Sequence, residues 1–177
     1  MKKSYMAIGL ALSLASTTSV FAASDNTITF QGEVTDQTCD VTINGNTASP
    51  VVLLPTVSIS DFASSTTAGA TTFEVGVSGC AVDSTSDRDV STVFIGNQVT
   101  SSGNLGNTGT AGNVDIQILD STDKVIDFTS NFTADNDLKI TAGQDSASAT
   151  YTAQYYSSAT PTAGNVTASL QYAVTYL

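Results

Sequence analysis

Two runs of alternating apolar and polar residues near the start of the chain are out of phase with each other. Residues 27–34 place their apolar side chains at even positions, and residues 39–44 place theirs at odd positions. Period two predicts a strand with one buried face, and a continuous strand cannot change its buried face. Residues 35–38 are therefore predicted to join two strands that are buried against different partners. The alternating members are Ile28, Phe30 and Val34, with Gly32 between them, and then Cys39, Val41 and Ile43.

The same period predicts a series of short strands further along the chain, separated by turn residues. They are centred on residues 73–77, 89–96, 114–118, 125–128, 138–140, 151–155 and 166–176. The nearly continuous apolar run of residues 50–59 predicts a further, buried strand, whose two prolines suggest bent or unpaired edges. No helical period longer than two turns occurs. The pattern predicts an all-β sandwich of immunoglobulin type, although the chain has no tryptophan, which argues against an antibody-type domain.

The connections are predicted from composition. Residues 60–72 indicate a loop with one helical turn, capped by Ser60 or Asp61. Residues 99–113 are rich in glycine, asparagine and serine and predict a long flexible loop.

The first 22 residues have the three regions of a secretory signal peptide: two lysines, a short apolar run and a small-residue end. The apolar run is too short to span a bilayer. Cleavage is predicted after Ala22, with Ala23 as the alternative, and an amphipathic start of a cytosolic domain is the competing interpretation. About 155 residues then remain, which is the length of one domain.

The net charge argues against two classes of partner. Removing Lys2 and Lys3 leaves three basic against sixteen acidic side chains, a net charge of −13. Nucleic acids and anionic membrane surfaces are bound through clustered lysine and arginine, so neither is expected as a partner.

The two cysteines, Cys39 and Cys80, lie in the part predicted to be exported. An oxidising compartment favours a disulfide between them, and a loop of about 41 residues would stabilise the fold by about 4 kcal/mol. Free thiols or a metal site are the alternatives, but the chain has no histidine and no CxxC spacing.

Catalysis finds little support in the sequence. The chain lacks histidine for a general base and lacks the GxSxG motif, so neither an enzyme nor a cofactor or metal is expected. Calcium at Asp83, Asp87 and Asp89 is disfavoured, because the spacing lacks the ligand order of known sites. The tyrosines at 151, 155, 172 and 176 are interpreted as core and groove lining.

Three stretches resemble the pilin subunits of chaperone–usher fimbriae, most closely the type 1 major-subunit family. The first is NTITFQGEVTDQTCDV, an alternating strand with a glycine, a joint and the first cysteine. The second is LLPTVSISDF followed by TTFEVGVSGC, which closes at the second cysteine. The third begins at Gly164, fourteenth from the end, and continues with alternating apolar residues to the penultimate Tyr176. The resemblance covers nearly the whole exported chain.

The resemblance implies an immunoglobulin-like sandwich, residues 37–177, that lacks its final strand. Residues 23–36 would be an N-terminal donor-strand extension, with Ile28, Phe30, Gly32 and Val34 entering the groove of a neighbouring copy. A periplasmic chaperone would fill the groove first, and an outer-membrane usher would be the site of exchange. Such β-strand addition joins subunits head to tail into open filaments.

The same resemblance implies that the C-terminal strand is the groove wall and the chaperone contact. Its expected members are Gly164, Val166, Ala168, Leu170, Tyr172, Val174, Tyr176 and Leu177. In the family, basic chaperone residues hold the terminal carboxylate, so the resemblance makes Leu177 the expected anchor. The chain departs from the family at this position, because many relatives end in a polar residue.

Two other readings stay open at this point. The N-terminal strand could complete the chain's own sandwich in a secreted, lectin-like binding module. Within the fimbrial class, a minor adaptor subunit is the alternative to the major one. The sequence predicts passage through the periplasm to the cell surface, and it identifies no host receptor.

Overall fold

The computed structural model describes residues 39–176, which form two antiparallel β-sheets around one core. The described part is all-β apart from one 3-10 turn, Ile59–Phe62. The strands are β1 (Asp40–Ile43), β2 (Thr67–Ser78), β3 (Arg88–Gly96), β4 (Leu105–Gly106), β5 (Asp115–Leu119), β6 (Phe132–Thr133), β7 (Leu138–Ile140), β8 (Ala147–Tyr156) and β9 (Leu170–Tyr176). No helix among these residues is long and apolar enough to cross a membrane.

The first sheet has the order β1-β2-β8-β5-β4. The second sheet is built on β3, which pairs with β9 along one edge and with β6 and β7 along the other. This second edge is interrupted between β6 and β7. There the Asp137 carboxylate replaces the missing ladder by accepting hydrogen bonds from the backbone N–H and the hydroxyl of Thr92, at 2.8 and 2.7 Å.

The core lies between the sheets, where the inward-facing residues of each strand meet. Four aromatic rings connect the layers: Tyr151 of β8 stacks on Phe73 of β2 and meets Phe94 of β3 edge to face, with centroids 5.8 and 5.1 Å apart. Phe94 in turn stacks on Phe132. Edge-to-face and offset stacks are the favourable arrangements of such rings. These aromatic contacts join the two sheets in a chain that has no tryptophan.

The predicted disulfide is confirmed. Cys39 and Cys80 are bonded, with Cα atoms 4.4 Å apart. The bond joins the residue before β1 to the second residue after β2, with a sequence separation of 41. Those two strands are already neighbours in the first sheet, so the bond fixes one end of an existing pair.

The prediction of a buried strand over residues 50–59 is wrong. The segment has no partner strand among the described residues, and Val51 and Leu53 are 79% and 84% exposed. Val52 and Leu54 are half-buried against the core. This alternation in exposure shows an extended backbone with only one face covered. The sequence does not show the alternation, because the residues on both faces are apolar. Ser58, rather than Ser60 or Asp61, caps the turn that follows.

Three other predictions need correction. Residues 67–72, predicted to belong to a loop, are part of β2. Residues 99–113 contain β4 and the buried Asn104 and Leu105, so this stretch is anchored to the core. Residues 125–128 form a single bridge from Val125 to Leu119 instead of a strand. The buried Ile126 and Phe128 account for the apolar signal there, because they fill the core without joining a sheet.

Candidate functional site: the outer edge of the C-terminal strand

The outer edge of β9 has no strand beside it in the described part of the chain. β9 pairs with β3 through Val90–Gly96. The N–H of Asn97 donates to the carbonyl of Ser169, at 3.3 Å. Odd-numbered backbone groups therefore face β3, and even-numbered groups point to the other edge, because successive residues alternate in an antiparallel strand. Within residues 39–176 no backbone hydrogen bond reaches Val166, Ala168, Leu170, Tyr172 or Val174.

The side chains of the same even-numbered residues are apolar and incompletely covered. They pack against the core cluster while keeping part of their surface exposed. The members are Val166, Ala168, Leu170, Tyr172, Val174 and Tyr176. An edge of this kind presents hydrogen-bonding groups and an apolar face together, which makes it a template for another strand.

Residues 51–57 form a second extended stretch without a ladder partner among the described residues. Val52 and Leu54 pack on the same core as the β9 side chains. Val57 reaches the first sheet, because a Cβ added to Gly69 would lie 2.9 Å from its Cγ1 atom. Two extended segments whose backbone has no ladder partner within residues 39–176 thus border one core.

Both stretches lie in parts of the chain that carry no charge. Val41–Ser60 and Ser146–Leu177 contain no acidic or basic residue, although the chain has sixteen acids. An incoming strand would therefore meet an apolar and hydrogen-bonding surface without like-charge repulsion. The last 32 residues of the sequence satisfy this condition along the whole of β9.

The end of β9 also contacts Cys39, the first described residue. The N–H of Cys39 donates to the hydroxyl of Tyr176, at 3.1 Å, in a partly buried position. Cys39 follows the predicted joint directly, so the first described residue is held against the C-terminal strand.

The structure places the predicted groove residues as follows. Val166 to Tyr176 lie along one strand line, as the period suggested, although β9 itself begins only at Leu170. Gly164 is exposed and lies against the backbone of Thr110 and Ala111. The donor residues Ile28, Phe30, Gly32 and Val34 lie outside the described residues, as do Leu177 and the predicted signal peptide.

The acidic loop is organised by its own hydrogen bonds. No group of three or more acidic, cysteine or histidine side chains among them is arranged to hold a metal ion. The Asp83 carboxylate instead accepts bonds from the N–H and hydroxyl of Thr85, at 2.8 and 2.7 Å. These bonds, the one from the N–H first, lower the pKa of Asp83 and organise its loop.

Comparison with known proteins identifies relatives over almost the entire chain. The model of the family described as fimbrial protein matches residues 28–177. The F17 fimbrial protein of Escherichia coli is 35% identical over 174 residues, covering 94% of this chain and 96% of that protein. The major fimbrial subunit SMF-1 of Stenotrophomonas maltophilia strain K279a is 35% identical over 164 residues, covering 87% and 94%.

Solved structures show the same fold at low sequence identity. The P pilus rod subunit PapA superposes with a TM-score of 0.58 at 18% identity, covering 78% of this chain and 99% of that one. A chain from the structure of a chaperone–usher pilus that addresses rod uncoiling gives 0.59 at 18%, covering 89% and 98%. The predicted fold class, an incomplete immunoglobulin-like sandwich, agrees with these likenesses.

Proposed function

Since the chain belongs to the fimbrial protein family, whose members are structural proteins of surface fimbriae and not enzymes, we propose that it polymerises by donor-strand exchange. The outer edge of β9 accepts the extension of the next subunit, which is residues 23–36 of another copy. Main-chain hydrogen bonds to the even-numbered residues supply affinity, and alternate side chains of the extension set the register.

The observation that carries this proposal is the coincidence of two properties on one edge. The backbone groups of the even-numbered residues from Val166 to Val174 lack partners in the described residues, and the side chains of those residues are apolar and only half-covered. A stable secreted domain covers or blunts such an edge, because it otherwise aggregates. The out-of-phase run of Ile28, Phe30 and Val34 has the pattern that would cover it.

The apolar outer edge of β9 would need a chaperone before the subunit polymerises. Before polymerisation, each subunit would have to cross the periplasm with its apolar edge shielded. A chaperone strand on β9, followed by exchange at an outer-membrane usher, supplies that shielding at every stage. Cleavage after Ala22 or Ala23 would release the extension for exchange.

We assign the chain to the repeating subunit of the fibre. The relative SMF-1 is named a major fimbrial subunit and matches over nearly its full length. An open filament requires a subunit that carries both a donor and an acceptor, and this chain would carry both.

The decisive experiment compares fibres of the parent with a variant that lacks Asp25–Val34. Sheared fibres are run unboiled and boiled on a denaturing gel. The parent is expected to give a ladder of multimers that collapses on boiling, and the deletion should abolish it. A stable monomeric parent whose deletion variant unfolds would show that the strand acts within its own chain, and polymerisation by exchange would be wrong.

Point substitutions separate the side-chain pattern from the length of the extension. Phe30→Asn changes a side chain predicted to face the groove, whereas Thr29→Asn changes its neighbour on the opposite face. Phe30→Asn should weaken or remove the ladder, while Thr29→Asn should leave it unchanged. Equal effects of both variants would contradict the predicted facing.

A further inference from the structure

The segments 107–112 and 162–167 are bonded to each other along their whole length. Three backbone hydrogen bonds join them: Thr108 N–H to Thr167 O, Ala111 N–H to Asn165 O and Thr162 N–H to Gly112 O, at 2.8, 3.0 and 3.0 Å. We refer to this paired structure, residues 107–112 with residues 162–167, as the clasp. Neither segment belongs to a sheet, so the clasp is separate from the ladder between β3 and β9.

Two glycines allow the segments to approach each other. A Cβ on Gly109 would overlap the carbonyl group of Asn165, with the carbonyl carbon at 2.7 Å. A Cβ on Gly164 would lie 2.6 Å from the carbonyl carbon of Thr110. The atoms in the way are backbone atoms that no rotamer change can move. Glycine is needed at both positions because there is no room for a side chain. Backbone conformation is not the reason, since neither residue has the positive φ that favours glycine.

Asn107 supports the clasp from within. Its Oδ1 accepts from the N–H groups of Thr167 and Gly109, at 2.8 and 2.7 Å, and its Nδ2 donates to the carbonyl of Ala111, at 2.8 Å. One side chain therefore satisfies three backbone groups that turns of this kind would leave to water.

The clasp lies on the same side of the C-terminal segment as β3. Asn165 and Thr167 bond to residues 107–112, and Ser169 bonds to Asn97 beside β3. The backbone groups of the odd-numbered residues are thus all hydrogen-bonded on the side of β3. The backbone groups of Val166 and Ala168 point to the open edge, as do those of the even-numbered residues of β9. The open edge therefore continues beyond the start of β9.

The lengths support this arrangement. β9 has seven residues and would span about 23 Å, whereas residues 165–176 would span about 40 Å. The predicted extension, residues 23–36, has fourteen residues. The longer edge matches the extension, and β9 alone matches only half of it.

We propose that the clasp is a positioning element that holds residues 165–169 in line with β9, so that the bound strand of the next subunit is hydrogen-bonded to Val166 and Ala168 as well. Gly109, Gly164 and Asn107 act through the clasp without contacting the bound strand. The proposal rests on donor-strand exchange and adds the length and position of the acceptor edge.

The test measures hydrogen exchange of single amides in assembled fibres of the full chain. In parental fibres the amides of Val166 and Ala168 should exchange as slowly as those of Leu170 and Tyr172. In Gly164→Ala and Gly109→Ala fibres the first two amides should exchange fast while the β9 amides stay slow, and the gel ladder should collapse at a lower temperature. A general loss of stability would instead speed exchange along the whole strand.

Gly106→Ala is the matched control, because a Cβ there meets only ordinary contacts, the nearest at 3.5 Å. It should behave like the parent. If the glycine variants fail to assemble, Asn107→Ala removes the same support without adding an atom, and it should speed exchange at Val166 and Ala168.

Fast exchange at Val166 and Ala168 in parental fibres, or slow exchange in the Asn107→Ala fibres, would overturn the role of the clasp. Failure of donor-strand exchange itself is seen separately, as a ladder that survives deletion of Asp25–Val34.

Discussion

Tyr151 combines the aromatic contacts of the core with a hydrogen bond to a carboxylate. The side chain is fully buried, and its hydroxyl donates to Asp137 Oδ2 at 2.7 Å. Burial, and then this carboxylate, raise the pKa of Tyr151 far above its usual range. The phenol therefore stays protonated and remains a donor, and Asp137 connects β3 and β8.

Replacing Tyr151 with phenylalanine should lower the free energy of unfolding by about 1–2 kcal/mol, because one hydrogen bond to a charged group is lost while the ring remains. Asp137→Ala should cost more, about 3 kcal/mol, since Thr92 and Tyr151 both lose their acceptor. Denaturant unfolding of the purified full chain measures both changes. Tyr155→Phe is the control on the same strand, and an equal loss there would contradict the role given to Asp137.

The segment 51–57 gives a prediction about one element. Leu54 packs on the core, and its neighbour Leu53 is 84% exposed. Leu54→Ala should destabilise the chain by about 1–2 kcal/mol, less than a fully buried leucine would, whereas Leu53→Ala should change it by less than about 0.5 kcal/mol. Thermal unfolding of the two variants checks the difference. If Leu53→Ala lowered the free energy of unfolding more than Leu54→Ala, the segment would be a buried strand, as the apolar run suggested.

Residues 51–57 also show where sequence periodicity stops being informative. Alternation predicted β5 and β7 closely and found the second half of β8, because apolar side chains recur at every other position there. An unbroken apolar run carries no alternation, so the exposure of Val51 could not be read from it. The pattern of side chains along a sequence predicts which residues are buried. It does not predict which backbone groups form hydrogen bonds, and the structure is needed for that.

The clasp was missed for a different reason. A stretch rich in glycine and asparagine has the composition of a flexible loop. Asn107 and Gly109 hold that stretch in place through contacts with Thr167 and Asn165, which are 60 and 56 residues away, and a single sequence does not reveal such pairing. The even-numbered face from Val166 to Tyr176 was predicted from its alternation, whereas the pairing of residues 162–167 with residues 107–112 was not.

Stability of the entire domain should fall in acid. Four loop carboxylates have a pKa below the ordinary value of 3.8. In Asp127 the main cause is the N–H of Thr129; in Asp87 it is the N–H of Ala142. In Asp120 burial raises the pKa, but bonds from Thr122 and Lys124 outweigh it. The four are Asp83, Asp87, Asp120 and Asp127.

Because these carboxylates have a lower pKa in the folded than in the unfolded chain, their contribution is present above about pH 3.8 and is lost as the pH falls through the folded-state values. The melting temperature should drop between pH 5 and pH 2. Asp127→Asn should lower it at pH 7 and have a smaller effect at pH 2, which thermal melts at both values will show. An effect of the substitution that does not depend on pH would contradict this linkage.

The bond between Cys39 and Tyr176 has a mechanical consequence once subunits are joined as proposed. Tension on a fibre enters each subunit at the root of its extension, next to Cys39, and leaves through the strand seated on β9. Cys39 is tied covalently to Cys80 and touches the end of β9, so the load passes along one side of the sandwich. The aromatic core is not in its path. Under a pulling force, such a fibre should yield by strand extraction between subunits before any domain unravels.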